Sequence, residues 1–168
     1  LKTTDFFSEK YLILFEQPLD ASNPESPKFR QRVYINHKSY NAPVVYITEG
    51  YNADYASAEN YVNELSSILL ANQICVEHRY FAESKPDPLD WQYLTTRGAA
   101  DDHHAIRESL GKIYNGKWVS TGISKGGETC LLYQMYYPKD VAATVAYVAP
   151  VAKALEDGRH EPFIKNIG

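Results

Sequence analysis

The stretch Val119-Ser120-Thr121-Gly122-Ile123-Ser124-Lys125-Gly126-Gly127 sets a serine in the spacing G-x-S-x-G, with strand-forming sequence before it and helix-forming sequence after it. Upstream, Lys117-Trp118-Val119-Ser120-Thr121 is aromatic and β-branched; downstream, residues 129–137 have helical length and stop at Pro138. A serine carried on so tight a strand-to-helix turn needs small neighbours, because its own backbone is strained and the helix start must pack close beside it. Gly122, Gly126 and Gly127 supply them. The N-terminus of the following helix brings a partial positive charge and free N–H groups to the hydroxyl, where an oxyanion would form. Ser124 is therefore the expected nucleophile. A bare G-x-S-x-G also occurs in ordinary glycine-rich turns, and it is the strand and helix on its two sides that favour catalysis here.

Working outward, residues 10–16 (KYLILFE) and 29–37 (FRQRVYINH) read as two antiparallel strands joined by a Pro/Ser/Asn-rich connection. Residues 43–48 (PVVYIT) form a short apolar run suited to a buried central strand, and Glu49-Gly50-Tyr51-Asn52 is the turn after it. Helical spacing is expected over 54–70 and a strand over 73–80. A Pro-rich loop over 83–94 carries Trp91 and Tyr93, and a helix follows over 95–114. After the strand at 117–122 and the helix at 124–137, a last strand is expected over 142–150 and an irregular charged tail over 151–168. Strands alternating with helices predict an α/β architecture, a mostly parallel sheet with helices on both faces. No repeat or linker divides the chain.

Of the 168 residues, 44% are hydrophobic and 23% charged, with a net charge of -4, which is ordinary for a globular protein. No basic patch gives a footprint for nucleic acid, and no block of like charge forms an interaction tail. No apolar run reaches the roughly 20 residues a membrane helix needs, and Leu1-Lys2-Thr3-Thr4-Asp5 is not a signal-peptide pattern. Cys75, in a strand pattern, and Cys130, in the helix after the serine, read as buried apolar residues; a disulfide between them requires Cα atoms within roughly 7 Å.

A serine hydroxyl is a weak nucleophile until a histidine takes its proton, and that histidine needs a carboxylate to hold its tautomer. In α/β-hydrolases the acid and then the histidine follow the serine in chain order. Only His160 follows Ser124, in the terminal tail with no strand after it, and the available acids are Asp140 and Asp157. Asp140 stands just past Pro138, where it suits a turn cap. His78, His103 and His104 precede the serine and would demand another topology. The expectation is the N-terminal part of an α/β-hydrolase fold: residues 1–168 are one portion of a catalytic domain, and 151–168 lead towards a cap segment. The acid and histidine would then belong to a remaining C-terminal part of the same protein.

The blocks ITEGYN (47–52), VEHRYF (76–81) with ES (83–84), DWQYLT (90–95), GKWVSTGISKGG (116–127) and TVAYVAPV (144–151) occur in that order. From about residue 30 onward they resemble the secreted bacterial prolyl tri/tetrapeptidyl aminopeptidases, serine peptidases of the α/β-hydrolase type. The resemblance implies Ser124 as nucleophile and no cofactor. It implies substrates that are peptides with a free N-terminus, cut preferably after proline, and a secreted or periplasmic protein whose signal peptide has been removed. Ala82 stands where the HRYF-G-ES block would carry glycine.

The backbone N–H of Lys125 is the expected first oxyanion donor, and Gly50 or Tyr51 in the turn after the third strand the second. The Lys125 side chain is expected in solvent. Recognition of a free α-amino group calls for a carboxylate, for which Glu49, Glu77 and Glu83 are candidates; each also suits a structural ion pair, with Arg79 as a partner. Trp91 and Tyr93 are candidate walls of a proline pocket or a cover for the core. Asp101-Asp102-His103-His104 would point around a helix rather than converge, so no metal is expected there. The rivals are an esterase or lipase on the same fold and an inactive hydrolase-like or binding domain.

Overall fold

The computed structural model describes residues 1–2, 4–151, 154 and 157–167. Glu9–Pro18 (β1) and Lys28–His37 (β2) pair antiparallel along their whole length, Glu9 opposite His37 and Pro18 opposite Lys28. Val44–Thr48 (β3) and Asn72–Val76 (β4) are buried throughout, as expected of apolar runs covered on both faces. Trp118–Ile123 (β5) and Ala143–Tyr147 (β6) extend the sheet, whose order is β1-β2-β4-β3-β5-β6. β2 meets β4 antiparallel, and the β4/β3, β3/β5 and β5/β6 pairs are parallel.

Alternate residues of each strand feed opposite faces. On one face Val33, Ile35, Tyr46, Ile74 and Val76 pack against Ile106 and Leu110 of Thr96–Leu110 (α2) and Tyr133 of Lys125–Tyr136 (α3). On the other, Tyr34, Val45, Ile47 and Cys75 meet Ala53, Ala56 and Leu65, the last on Glu64–Leu69 (α1). The expected α/β-hydrolase architecture, with helices on both faces, is present. Cys75 and Cys130 are buried free thiols.

Four boundaries differ from the sequence expectation. The helix expected over 54–70 is a 3₁₀ turn at Asp54–Ser57 and then the short α1. Asn63 separates them: its side chain accepts from Leu65 N–H at 3.0 Å and starts a new helix, while its own N–H is drawn to Gln73 Oε1 at 2.7 Å. β4 stops at Val76 because the chain then bends away: Glu77 N–H still reaches Arg32 O, but His78 N–H turns to Tyr51 O, 3.0 Å away. The helix over 95–114 closes at Leu110, capped at the start by Thr95, whose side chain accepts from Gly98 N–H. The irregular tail contains a helix, His160–Ile167 (α4); residues 152–153, 155–156 and 168 of that stretch lie outside the described set.

One buried ion pair ties the loops above the sheet. The Arg79 guanidinium, 1% exposed, grips both oxygens of Asp102 on α2 at 2.7 and 2.8 Å. It also donates to the carbonyls of Leu19 at 3.1 Å and Tyr93 at 2.7 Å. The partner of Arg79 is therefore Asp102, and the expected pairing with Glu49, Glu77 or Glu83 does not occur. Removing one charge would leave the other buried and uncompensated. Asp102→Asn should lower the unfolding free energy by about 3–5 kcal/mol, read from urea denaturation of the whole protein; a loss below about 1 kcal/mol would contradict this role.

Two buried histidines add a pH dependence. Desolvation holds His78 down to about 4 and His103 down to about 3, from 6.5. The unfolded chain takes up these protons near its ordinary value, the folded protein only far below it. Stability is therefore complete above about 6.5 and falls as pH drops towards 4 and 3. His103→Gln should make the loss of stability between about pH 6.5 and about pH 4 shallower; an unchanged slope would show that His103 does not contribute.

Candidate active site

Ser124 is the single residue between β5 and α3, with φ 55° and ψ −121°. A non-glycine residue in such a conformation costs on the order of 1–3 kcal/mol, so its surroundings must enforce it. They do so by close backbone packing. A Cβ on Gly122 would fall 2.1 Å from Gly126 O, one on Gly126 2.6 Å from Thr48 O, and one on Gly127 2.9 Å from Tyr147 O. Thr48 Oγ1 donates in the direction of Gly126 O (3.0 Å) and Thr121 O (3.3 Å), lacing β3 to the turn. Ser124 N–H is held by Tyr147 O of β6 at 3.0 Å, and Ser124 O accepts the Glu128 N–H of the first helical turn. The hydroxyl-bearing residue itself is exposed.

The second element of the site is the turn after β3. A Cβ on Gly50 would lie 2.6 Å from Lys125 Cβ and 2.8 Å from Gly126 N, so this turn rests directly on the start of α3. The backbone of Gly50 and Tyr51 is thus beside the serine turn, where the sequence placed it. The Lys125 side chain departs from expectation: it is half-buried, and Nζ donates to Gly50 O at 2.6 Å.

The carboxylates separate clearly. Glu77 is fully buried; Oε1 accepts from Ser84 Oγ at 2.7 Å, and Oε2 from Ala53 N–H at 3.1 Å. Its internal bonds make it a structural residue. Glu83 is exposed. Glu49 accepts from Tyr55 OH and lines a cleft of about 440 Å³ with Tyr61, Ile123 and Tyr147; burial pushes its carboxyl above the ordinary range. A second cleft, of about 180 Å³, is bounded by His78, Leu94, Ala99, Lys125, Glu128 and Leu132. Trp91 and Tyr93 do not line it. Trp91 is exposed with its ring against Tyr80 (5.3 Å), and Tyr93 gives its carbonyl to Arg79. Ala82 has φ 45°, the left-handed backbone that explains why glycine suits this position.

Asp101, Asp102, His103 and His104 diverge as expected, to Arg97, Arg79, Tyr46 and Asp140 respectively. His104 does approach Glu108 and Asp140 as a three-residue group. Asp140 Oδ2 already receives Tyr133 OH and His104 Nδ1, both at 2.7 Å, which makes the group a tie between α2 and the end of α3. His37 bonds Tyr114 and His78 bonds Arg79 O, each through Nδ1, and among the described residues no histidine ahead of the serine is hydrogen-bonded to it. Glu128 and Leu94 have no role in the sequence reading: Glu128 lies just past the glycine run, and Leu94, although within the DWQYLT block, stands beside the aromatic residues that suggest a pocket; the signal for Glu128 is its position one helical turn from the serine.

The family pattern of the PS-10 peptidase S37 group matches residues 3–168. The chain belongs to the PS-10 peptidase S37 family. Within the curated proteins it is 38% identical over 161 residues to a prolyl tri/tetrapeptidyl aminopeptidase of Streptomyces mobaraensis, covering 95% of this chain and 33% of that protein. It is 26% identical over 162 residues to the lysosomal Pro-X carboxypeptidase of Mus musculus, covering 86% and 33%. The chain thus spans about a third of the length of these relatives. Among solved structures, the alpha/beta hydrolase GrgF from Penicillium superposes with TM-score 0.61 at 13% identity, over 95% of this chain and 52% of that one. Dipeptidyl peptidase 4 of Porphyromonas gingivalis gives 0.60 at 14% identity, over 85% and 21%. These likenesses show the α/β-hydrolase fold. Among the described residues, no helix is long and apolar enough to cross a membrane.

The packing around the turn predicts that Gly122→Ala forces the Gly126 carbonyl aside. It should destabilise the protein by roughly 2 kcal/mol or more and disturb Ser124 at the same time. Thermal unfolding together with the rate of Ser124 labelling by a fluorophosphonate checks this; normal values for both would refute the tight-turn account.

Proposed function

We propose that this chain carries the nucleophile and oxyanion pocket of a serine exopeptidase that releases tri- and tetrapeptides from free N-termini, preferably after proline. The observation that carries it is Ser124, exposed on a strained strand-to-helix turn. The likeness to the Streptomyces aminopeptidase supports the substrate class. Ser124 Oγ attacks the scissile carbonyl while a histidine takes its proton; the new oxyanion is met by Lys125 N–H and a donor from the Gly50-Tyr51 turn. The same histidine returns the proton to the departing amine, leaving an acyl-enzyme that water hydrolyses. In the whole protein, that histidine and its carboxylate would be carried by sequence following residue 168, as the greater length of the relatives suggests. Glu49 and Glu83 remain the candidates for the carboxylate that receives the substrate ammonium, since both oxygens of Glu77 are engaged inside the fold.

The whole protein should cleave a tripeptide anilide ending in proline and reject its N-acetylated form. Ser124→Ala should reduce turnover by at least about 10⁴-fold while changing stability by less than about 1 kcal/mol. Undiminished turnover in Ser124→Ala would remove the nucleophile assignment. Equal cleavage of the acetylated substrate would instead remove the exopeptidase assignment.

A further inference from the structure

The Lys125 side chain starts on the helix that follows Ser124 and reaches the Gly50-Tyr51 turn, the other half of the proposed oxyanion pocket. Nζ sits 2.6 Å from Gly50 O, 4.8 Å from the centre of the Tyr51 ring and 4.5 Å from that of Phe81. The two rings meet edge to face at 5.1 Å and 86°, forming a corner that encloses the ammonium. Burial lowers the proton affinity of this lysine, with Glu128 opposing the shift. A flexible lysine in solvent would do none of this; its rotamer freedom, worth up to about 2 kcal/mol, has been given up for a fixed contact.

The bonded carbonyl matters because of the peptide unit it belongs to. The Gly50 carbonyl and the Tyr51 N–H share one planar trans peptide, in which C=O and N–H point in opposite directions. Anchoring Gly50 O on Lys125 Nζ therefore fixes the direction of Tyr51 N–H. The next peptide is held as well, through Tyr51 O accepting His78 N–H at 3.0 Å. By contrast, Gly50 is buried and its N lies 3.4 Å from where a Cβ on Gly126 would stand, so that amide is packed against the serine turn, whereas Tyr51 is exposed. That leaves Tyr51 N–H, on a turn seated against the N-terminus of α3, as the amide free to receive an oxyanion beside Lys125 N–H, which has no acceptor within the helix.

We propose that Lys125 is a positioning residue, whose ammonium, cornered by Tyr51 and Phe81, pins the Gly50-Tyr51 peptide so that Tyr51 N–H is the second oxyanion donor. The inference rests on the serine peptidase function proposed above. A donor fixed before the substrate arrives needs no reorganisation as charge develops, and its benefit is felt in the transition state more than in substrate binding.

The test compares Lys125→Met and Lys125→Arg with the wild-type whole protein, on the proline-ending anilide and on a peptidyl boronic acid ending in proline, which binds serine as a tetrahedral adduct. Lys125→Met should lower kcat about 10- to 100-fold with KM within about 3-fold, and weaken the boronate by a similar factor. Affinity for the product tripeptide should stay unchanged, and Lys125→Arg should recover part of kcat. Phe81→Leu, which removes one wall of the corner and leaves the charge, should shift kcat and boronate affinity in the same direction by a smaller factor. It decides the matter if the methionine variant does not fold. A kcat within about 2-fold of wild type in Lys125→Met, or a rise in KM and product affinity constant with kcat intact, would overturn the positioning role. If Ser124→Ala is inactive while Lys125→Met is normal, only this inference fails; if Ser124→Ala stays active, the peptidase function fails with it.

Discussion

The contact on which the rest of the structure depends is backbone against backbone at the turn that carries Ser124. Gly126 O occupies the place of a Gly122 side chain, and Thr48 O that of a Gly126 side chain, so β3, β5 and α3 converge without intervening atoms. That approach holds Ser124 in a conformation an isolated peptide would abandon, and it presses Gly50 onto the start of α3. The exposed Ser124 and the Gly50 turn beside it are then placed by the packing of small residues. The strain at one residue is offset by hydrogen bonds with neighbouring strands, from Thr48 Oγ1 to Gly126 O and from Ser124 N–H to Tyr147 O.

Around this centre the loops are secured by buried polar groups rather than by apolar packing alone. Arg79 lies just beyond β4 and joins Asp102 on α2 to the carbonyls of Leu19 and Tyr93, so the segment that supplies Leu94 to the smaller cleft cannot drift independently of the sheet. Glu77, two residues earlier, binds Ser84 and Ala53 and so fixes both the Phe81 turn and the segment after Tyr51. The EHRYF block therefore works through its interior contacts: Glu77 and Arg79 brace the scaffold, and Phe81 bears on Lys125. Buried groups of this kind cost desolvation and are tolerated only when every partner is present.

The sheet, the strand-to-helix turn and the placement of Gly50 were legible in the sequence because each follows from a local rule: alternating or continuous apolar runs, the glycine spacing, and the β-branched run before Ser124. What was not legible depended on partners distant along the chain. Residues 54–70 carry helical spacing, yet Gln73 takes the Asn63 N–H and the helix begins only there. Nothing local to Glu77 reveals that it is buried and bonded by Ser84 and Ala53, which are distant from it in the sequence or set by the loop path. The sequence offers Trp91 as a pocket wall or a cover for the core, and Asp90 caps a 3₁₀ turn that leaves the ring on the surface beside Tyr80. No local rule reveals that the turn after β3 offers Lys125 a carbonyl and the Tyr51 ring, or that the segment after β4 offers it the Phe81 ring.

The central claim is that this turn activates Ser124 above every other hydroxyl in the protein. The most direct measurement is peptide mapping by mass spectrometry after treating the whole protein with a fluorophosphonate. A single phosphonyl adduct on Ser124, absent from protein unfolded before treatment, is the predicted result. An adduct on a different serine, or no adduct on folded protein that cleaves peptide, would contradict the account.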